Sequence, residues 1–224
     1  MKYKNITEGN FISRPNRFIA HVEVGGTTEI VHVKNTGRCR EILIPGTKVY
    51  LEISDNPNRK TAYDLIAAEK EKLLINIDSQ APNALYCVWV ASHIEGLTYM
   101  KREVTHGDSR FDLYYEANGI KTFAEVKGVT LETNGIVRFP DAPTERGIKH
   151  LNGLIACVKE GYAAEVIFVV QMKKAKYFCP NEVTHPAFAQ KLKEAKENGV
   201  SVRVFTCDVL PEEIAINGEI EAKI

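Results

Sequence analysis

The sequence predicts an α+β protein with an all-β part, residues 1–80, and a part that mixes helices and strands, residues 81–224. Three observations support this division. Short runs of strand-forming residues separated by turn residues fill the first part. Amphipathic helical patterns alternate with near-continuous apolar runs in the second part, as in a mixed sheet with flanking helices. The length of 224 residues allows one large domain or two small ones.

The N-terminal part contains a predicted hairpin and further strands. RFIAHVEV (17–24) alternates apolar and polar residues and meets Gly25-Gly26, a hairpin turn signal, before TTEIVHV (27–33). TKVYLEIS (47–54) and a run near 61–77 add further strands. Five short strands with turn signals predict a small barrel of the OB type, although a β-meander fits the same pattern.

The C-terminal part is predicted mainly from its periodicity. Apolar residues recur at the helical period from Ile148 to Val158, where Asp141 can cap the helix start and Gly161 ends the helix. AEVIFVVQM is the near-continuous apolar run of a strand buried on both faces. The predicted elements are a helix at 84–94, strands at 98–105, 110–116, 120–131 and 136–139, a helix at 143–160, a strand at 164–172, a helix in HPAFAQKLKEAKENG and a strand at 200–206.

The composition limits the function classes. Lys and Arg together number 29, as do Asp and Glu, so the formal net charge is zero and any nucleic-acid-binding surface has to be a local basic one. The five cysteines form no C-x-x-C pair, which favours isolated thiols in a reducing compartment over a disulfide framework or a zinc site.

Several classes of motif are missing from the chain. We find no signal peptide, no apolar stretch of membrane-spanning length, no P-loop and no G-x-G-x-x-G. We therefore expect a cytoplasmic, soluble protein that binds neither a membrane nor a nucleotide cofactor. The sequence does not determine the oligomeric state and is compatible with a homo-oligomer.

One predicted hairpin, FDLYYEANGIKTFAEVKGVTLE (111–132), carries acidic residues on its middle rungs. If Asn118-Gly119 forms a two-residue turn, Asp112 lies directly opposite Glu125, with Cβ atoms about 5 Å apart. Side chains alternate along a strand, so Lys127 shares a face with Glu125. If Gly107-Asp108 is also a two-residue turn, Glu103 joins them in a row of three carboxylates across three strands.

Directly opposed like charges destabilise a sheet, so such a row needs positive charge. Lys127 supplies one charge, and Mg²⁺ or Mn²⁺ would supply two more, because carboxylate oxygens are ligands that these cations prefer. The predicted chemistry is metal-assisted phosphodiester hydrolysis, with Asp112 and Glu125 on the metal, Lys127 as a catalytic group and Glu103 assisting the metal or a water. The alternative is a solvated strand face of alternating charge that includes Lys121.

An Asp on one strand of a hairpin and Glu-x-Lys on the next, between two helices, resembles the PD-(D/E)XK nuclease superfamily. More narrowly, the chain resembles the sugar fermentation stimulation protein A family. The matching stretches are HVKNTGRCREILIPG (32–46), REVTHGDSRFDLYYE (102–116), FAEVKGVTL (123–131) and FPDAPTERGIKHLNGL (139–154).

This resemblance implies an N-terminal OB-like β-barrel domain, a C-terminal PD-(D/E)XK nuclease-like α/β domain, DNA binding, and a regulatory link to sugar (maltose) utilisation. Asp112, Glu125 and Lys127 match the superfamily motif, and Glu103 occupies the family's acidic position before the hairpin. The superfamily usually has Pro before the first Asp, whereas this chain has Phe111.

Further polar residues are candidates for contacts with nucleic acid. Asn35, Thr36 and Arg38 form a polar turn in the predicted barrel, and the alternative is an ordinary turn. On the 143–160 helix, two basic residues are candidates for phosphate contacts and a histidine for support of the metal site. The alternative is a solvated helix face that carries a Glu145–Lys149 pair. The candidates for nucleic-acid contact are Asn35, Thr36, Arg38, Arg110, Arg146 and Lys149, and the supporting histidine is His150.

Three functions remain open from the sequence. The first is a DNA-binding protein with a Mg²⁺-dependent phosphodiesterase centre of nuclease type. The second is a DNA-binding regulatory factor that uses the same fold without catalysis. The third is a module that binds RNA or protein, since OB-like folds also serve these functions.

Overall fold

Six strands form the N-terminal sheet of the computed structural model, which describes residues 1–224. Five of them close into a barrel, because β3 pairs with β2 on one side and in parallel with β5 on the other, while β1 joins β2 to β4. The OB-type barrel is therefore confirmed, and an open meander is excluded. The strands are β1 (Ile6–Asn16), β2 (Ile19–Val24), β3 (Thr27–Val33), β4 (Lys48–Ile53), β5 (Tyr63–Lys70) and β6 (Leu73–Asn76).

The barrel core follows from the alternation in its strands. In β2, Ala20 and Val22 are fully buried, whereas Glu23 between Val22 and the turn is exposed. The turn after β2 is made by Gly25 and Gly26, both with positive φ, as a tight hairpin requires. Local sequence therefore sets both the hairpin and its inward face.

The C-terminal part is built on a six-stranded mixed sheet in the order β15-β14-β12-β9-β8-β7. The three neighbouring strands β9, β12 and β14 pair in parallel. The pairs β7–β8, β8–β9 and β14–β15 are antiparallel. Its strands are β7 (Leu97–His106), β8 (Ser109–Ala117), β9 (Ile120–Val129), β12 (Ala163–Val170), β14 (Ser201–Leu210) and β15 (Glu213–Glu219). A small second sheet contains β10 (Leu131–Thr133), β11 (Ile136–Phe139) and β13 (Tyr177–Pro180).

Helices cover both faces of the mixed sheet, which explains the near-continuous apolar sequence of β12. Alternate residues of β12 enter different core clusters: Val166 and Phe168 share one with the second helix, and Ile167 shares the other with the first helix. The helices are α1 (Ala81–His93), α2 (Glu145–Lys159) and α3 (Pro186–Glu197). None of the three has the length and hydrophobicity needed to span a membrane.

The structure corrects several details of the sequence prediction. The cap of α2 is Thr144, whose hydroxyl accepts a hydrogen bond from Gly147 N, and not Asp141, which bonds to the barrel instead. The short strand β13 and the polar strand β15 were not predicted. β13 pairs with β11, which lies about 40 residues earlier in the chain, and no local pattern records that pairing. β15 forms a hairpin with β14, but most of its residues are not buried and the strand lacks a strong apolar alternation.

A buried carboxylate anchors α1 to the sheet. Glu165 on β12 is 5% exposed, and its Oε1 accepts hydrogen bonds from the hydroxyls of Tyr86 at 2.5 Å and Tyr115 at 3.0 Å. Burial raises the pKa of Glu165, and the two hydroxyls and the nearby Arg203 only partly offset this effect. The folded state therefore disfavours the ionised form of Glu165.

We expect Glu165→Gln to stabilise the protein relative to wild type at pH 8 but not at pH 4. Because the folded pKa of Glu165 is raised, wild-type stability falls as pH rises above the pKa of the unfolded chain, whereas glutamine carries no charge to bury. Melting temperatures of both proteins across this range test the expectation, with the exposed Glu95→Gln as control. A difference between Glu165→Gln and wild type that does not change with pH would contradict it.

Candidate active site

Two tight turns set the register of the three strands that carry the candidate site. His106 pairs with Ser109 across Gly107-Asp108, and Ala117 pairs with Ile120 across Asn118-Gly119, so both predicted two-residue turns are present. Regular pairing of β8 with β9 extends from the second turn to Leu113 and Ala124. The next residues along this register are Asp112 and Glu125.

Asp112 lies where the regular ladder between β8 and β9 ends. Its Oδ2 accepts a hydrogen bond from Val126 N at 2.8 Å, so a side chain takes the place of a main-chain carbonyl. Its Oδ1 accepts from Asn83 Nδ2 at 2.9 Å, near the start of α1. The carboxylate is thus fixed from β9 and from α1.

Glu125 on β9 is the central carboxylate of the site and is only 2% exposed. Its Oε1 accepts hydrogen bonds from Lys127 Nζ and from His150 Nδ1 on α2. Its Oε2 is buried and has no hydrogen-bond partner. A buried, ionised oxygen without a partner is costly, so Oε2 is the atom of this carboxylate that is free to bind an external group.

A hydrogen bond from Arg146 fixes the orientation of His150. Arg146 Nε, one helical turn earlier on α2, donates to His150 Nε2 at 3.3 Å. A neutral imidazole that accepts at Nε2 carries its proton at Nδ1, the atom that faces Glu125. The hydrogen-bonded series Arg146–His150–Glu125 therefore engages one oxygen of Glu125 within the protein and leaves the other oxygen free.

The two carboxylates differ in acidity. Burial raises the pKa of Asp112, and repulsion from Glu125 adds to this, more than its hydrogen bonds and Lys127 offset. Burial acts in the same direction on Glu125, but the His150 hydrogen bond and the Lys127 charge outweigh it and hold the pKa of Glu125 below its usual range. Environments that separate two neighbouring carboxyl pKa values in this way are typical of functional sites.

The predicted row of three carboxylates is not formed, and this expectation was wrong. Glu103 keeps the predicted register between its neighbours but has a φ of 55°, and its carboxylate pairs with Arg110 in an exposed ion pair. The side chain of Glu103 is 62% exposed, against 3% for Glu125. No group of three or more Asp, Glu, His or Cys side chains is arranged as a metal site. Glu103 and Arg110 therefore neutralise each other at the surface.

Apart from Arg110, which lies on β8, the predicted nucleic-acid contacts occupy two separate regions, α2 and the barrel. On α2, Arg146 contacts His150, while Lys149 is exposed and Glu145 faces His185 at 3.4 Å, so the alternative Glu145–Lys149 pair does not form. In the barrel, Asn35 is committed to the main chain: Nδ2 donates to Ile77 O at 2.8 Å and Oδ1 accepts from Gly37 N at 2.7 Å. Thr36 and Arg38 are exposed in the same turn.

The barrel turn meets β9 directly after the site. Asn35 and Gly37 line a cavity of about 100 Å³ together with Gly128 and Val129, which follow Lys127. Sequence reasoning missed Asn83, whose position at the start of α1 shows no apolar pattern or motif, and it did not place the barrel beside the site.

We expect Gly128→Ala to destabilise the protein by about 1–3 kcal/mol through overpacking. A Cβ at this position would lie 2.6 Å from Gln171 Oε1 and 2.9 Å from Pro82 Cγ, both held in place by the barrel contact and by α1. Thermal melting tests this, with a fall of about 2–4 °C per kcal/mol. The control is Gly218→Ala, because a Cβ there meets no atom within 4 Å. Equal melting temperatures for the two variants would contradict this packing.

Comparisons with known proteins agree with this architecture. Residues 12–77 match the family model "SfsA N-terminal OB domain", and residues 80–213 match "Sugar fermentation stimulation protein RE domain". The sugar fermentation stimulation protein homolog of Ruminiclostridium cellulolyticum is 53% identical to this chain, with 100% of both chains covered. The homolog of Desulfitobacterium hafniense strain Y51 is 52% identical, with 100% of this chain and 99% of the relative covered. The solved structure of Pyrococcus furiosus SfsA in complex with Ca²⁺ aligns with a TM-score of 0.89 at 29% identity, covering 100% of this chain and 98% of that one. The chain therefore belongs to the sugar fermentation stimulation protein family.

Proposed function

We propose that this protein binds DNA and hydrolyses phosphodiester bonds with the help of a divalent cation. The centre consists of Asp112, Glu125 and Lys127. The observation that carries the proposal is Glu125 Oε2, a buried carboxylate oxygen without a partner beside a second carboxylate. We further propose two domains, 1–80 and 81–224, with the nuclease-type centre in the second.

The residues present fit a hard divalent cation such as Mg²⁺ or Mn²⁺. Asp112 and Glu125 would hold it, and the main-chain carbonyl of Val126 is a further candidate ligand. Mg²⁺ commonly uses only one or two protein carboxylates and keeps several waters, so a third carboxylate is not needed. A relative of the same fold, Pyrococcus furiosus SfsA, has been solved in complex with Ca²⁺, which supports divalent-metal use. When bound, the cation supplies Lewis-acid stabilisation of phosphoryl oxygens.

The other residues at the centre hold charged groups in place. Lys127 is 17% exposed at its side chain, so its ammonium group can face both Glu125 and a substrate phosphate, where it offsets developing negative charge. His150 keeps Glu125 oriented through its Nδ1 proton, and Arg146 holds the tautomer of His150. We propose DNA contacts for Arg146 and Lys149 beside the centre and for Arg110, whose guanidinium also pairs with Glu103. In the barrel turn we propose contacts for Thr36 and Arg38, while Asn35 holds the turn in shape through its two main-chain hydrogen bonds.

One observation favours a second candidate function, a non-enzymatic DNA-binding regulatory factor linked to sugar metabolism. Lys127 and His150 both contact the same oxygen of Glu125, so the negative charge of this residue is already largely compensated within the protein. Such a site can remain folded without a cation. The relatives' name, sugar fermentation stimulation protein homolog, agrees with a regulatory function.

We expect the protein to nick supercoiled plasmid DNA with Mg²⁺ or Mn²⁺ and not with EDTA. Lys127→Ala should lower the rate at least about 100-fold, because one preorganised group that stabilises transition-state charge contributes about that much. Asp112→Asn and Glu125→Gln should cause comparable losses. The matched control is Lys121→Ala, which removes an exposed charge from the same strand. Equal rates for Lys127→Ala, Asp112→Asn and wild type would refute the catalytic proposal, and DNA binding without cleavage of any substrate would favour the regulatory function.

Calorimetric titration with Mn²⁺ tests the metal site without reference to activity. We expect binding at pH 8 that weakens as pH falls, because Asp112 must be deprotonated to bind a cation and its pKa is raised. Asp112→Asn and Glu125→Gln should each weaken binding, and circular dichroism checks that both variants fold. Affinity that does not weaken at any lower pH at which the protein stays folded, or that both variants retain, would contradict the assignment.

A further inference from the structure

A cavity of about 430 Å³ on the barrel is lined by four arginines, Arg14, Arg17, Arg38 and Arg40. The remaining lining residues carry no charge, so no carboxylate faces this arginine cavity. None of the four guanidinium groups takes part in an ion pair. In a chain whose formal net charge is zero, this is a local concentration of four uncompensated positive charges.

Arg14 organises the arginine cavity. Its guanidinium donates four hydrogen bonds, all to main-chain carbonyls: Gly37 O at 2.8 Å, Arg38 O at 3.0 Å, Arg17 O at 2.8 Å and Asn35 O at 2.6 Å. These bonds tie the end of β1 to the 35–38 turn. Since carbonyls are neutral, they orient the guanidinium without cancelling its charge.

The other three arginines are free to bind a ligand. Arg17, Arg38 and Arg40 are exposed, and their side chains form no hydrogen bond within the protein; Arg17 lies over the ring of Phe18 at 5.2 Å. Glu41 and Asp141 lie nearby but do not line the arginine cavity, and Asp141 Oδ2 accepts a hydrogen bond from Arg38 N at 2.9 Å. Like charges gathered in this way repel one another unless an anion binds between them.

We propose that the arginine cavity binds phosphate groups of a single nucleic-acid strand, as a site separate from Asp112, Glu125 and Lys127. This identification of the ligand rests on the proposed DNA-binding function. Planar guanidinium groups match phosphate oxygens in geometry and charge. Ile12, 39% exposed, lines the arginine cavity, and Phe18, 48% exposed, lies beside Arg17. An aromatic face next to phosphate-binding arginines is suited to unpaired bases.

The position of the arginine cavity connects it to the proposed centre. Gly37 lines both the arginine cavity and the smaller cavity that Gly128 and Val129 border at the end of β9. A strand held by its phosphates on the barrel is thereby directed toward the residues that follow Lys127. The barrel then serves to hold the strand, and the mixed sheet carries the cleavage chemistry.

Fluorescence anisotropy with a labelled 20-nucleotide oligothymidylate in EDTA tests the proposal on the full chain. Arg17→Ala/Arg40→Ala should weaken binding at least about fivefold and reduce the slope of log K against log salt by about 1.4, as expected for two single-strand phosphate contacts. Lys60→Ala/Lys72→Ala is the matched control, because it removes the same charge from exposed positions in the same part of the chain.

The outcomes separate this inference from the proposed function. Binding that depends on the two arginines supports the arginine cavity even if the plasmid-nicking assay shows no cleavage. An affinity and salt slope for the double arginine variant equal to those of the lysine control would overturn the inference. Displacement of the oligonucleotide by an equal concentration of inorganic pyrophosphate would overturn the choice of a strand and assign the arginine cavity to a free phosphate compound.

Discussion

The carboxylate of Glu125 is the group on which the rest of the site depends. An ionised carboxylate buried in a protein is costly unless cations or hydrogen-bond donors compensate it. Here Lys127 and His150 compensate one oxygen only, and the second remains buried without a partner. The arrangement keeps Glu125 ionised, as its lowered pKa indicates, and leaves its second oxygen free for the cation that we propose.

The fold keeps this carboxylate in a fixed position by covering β9 on both sides. Val126 and Ala124 pack in the core beneath α1, while Glu125 between them faces α2 and His150. The barrel is joined to the same region by side-chain hydrogen bonds: Gln171 Nε2 donates to Asn76 Oδ1 and to Asp78 O, both at 2.9 Å. Gln171 N also donates to Val129 O at 2.9 Å, so hydrogen bonds through Gln171 connect the N-terminal sheet to the end of β9.

The sequence was informative wherever structure is determined locally. Two-residue turns at Asn118-Gly119 and Gly107-Asp108 fix the strand register. Because the register determines which side chains lie opposite each other, the closeness of Asp112 to Glu125 could be predicted. The position of the Glu103 carboxylate could not, because neither the positive φ of this residue nor its ion pair with Arg110 follows from the register, which is regular on either side. Asn83, Arg14 and the arginine cavity arise from contacts between distant segments, which no local pattern records.

Anomalous diffraction from a crystal soaked in Mn²⁺ tests the central claim most directly. The account predicts one anomalous peak within coordination distance of Glu125 Oε2 and the Asp112 carboxylate, with Glu125 Oε1 still bonded to Lys127 and His150. The same soak of Glu125→Gln crystals should show no peak there. Density that is absent from the wild-type site under saturating Mn²⁺, or that lies at Glu103 instead, would contradict the claim that the unpaired oxygen of Glu125 is a metal ligand.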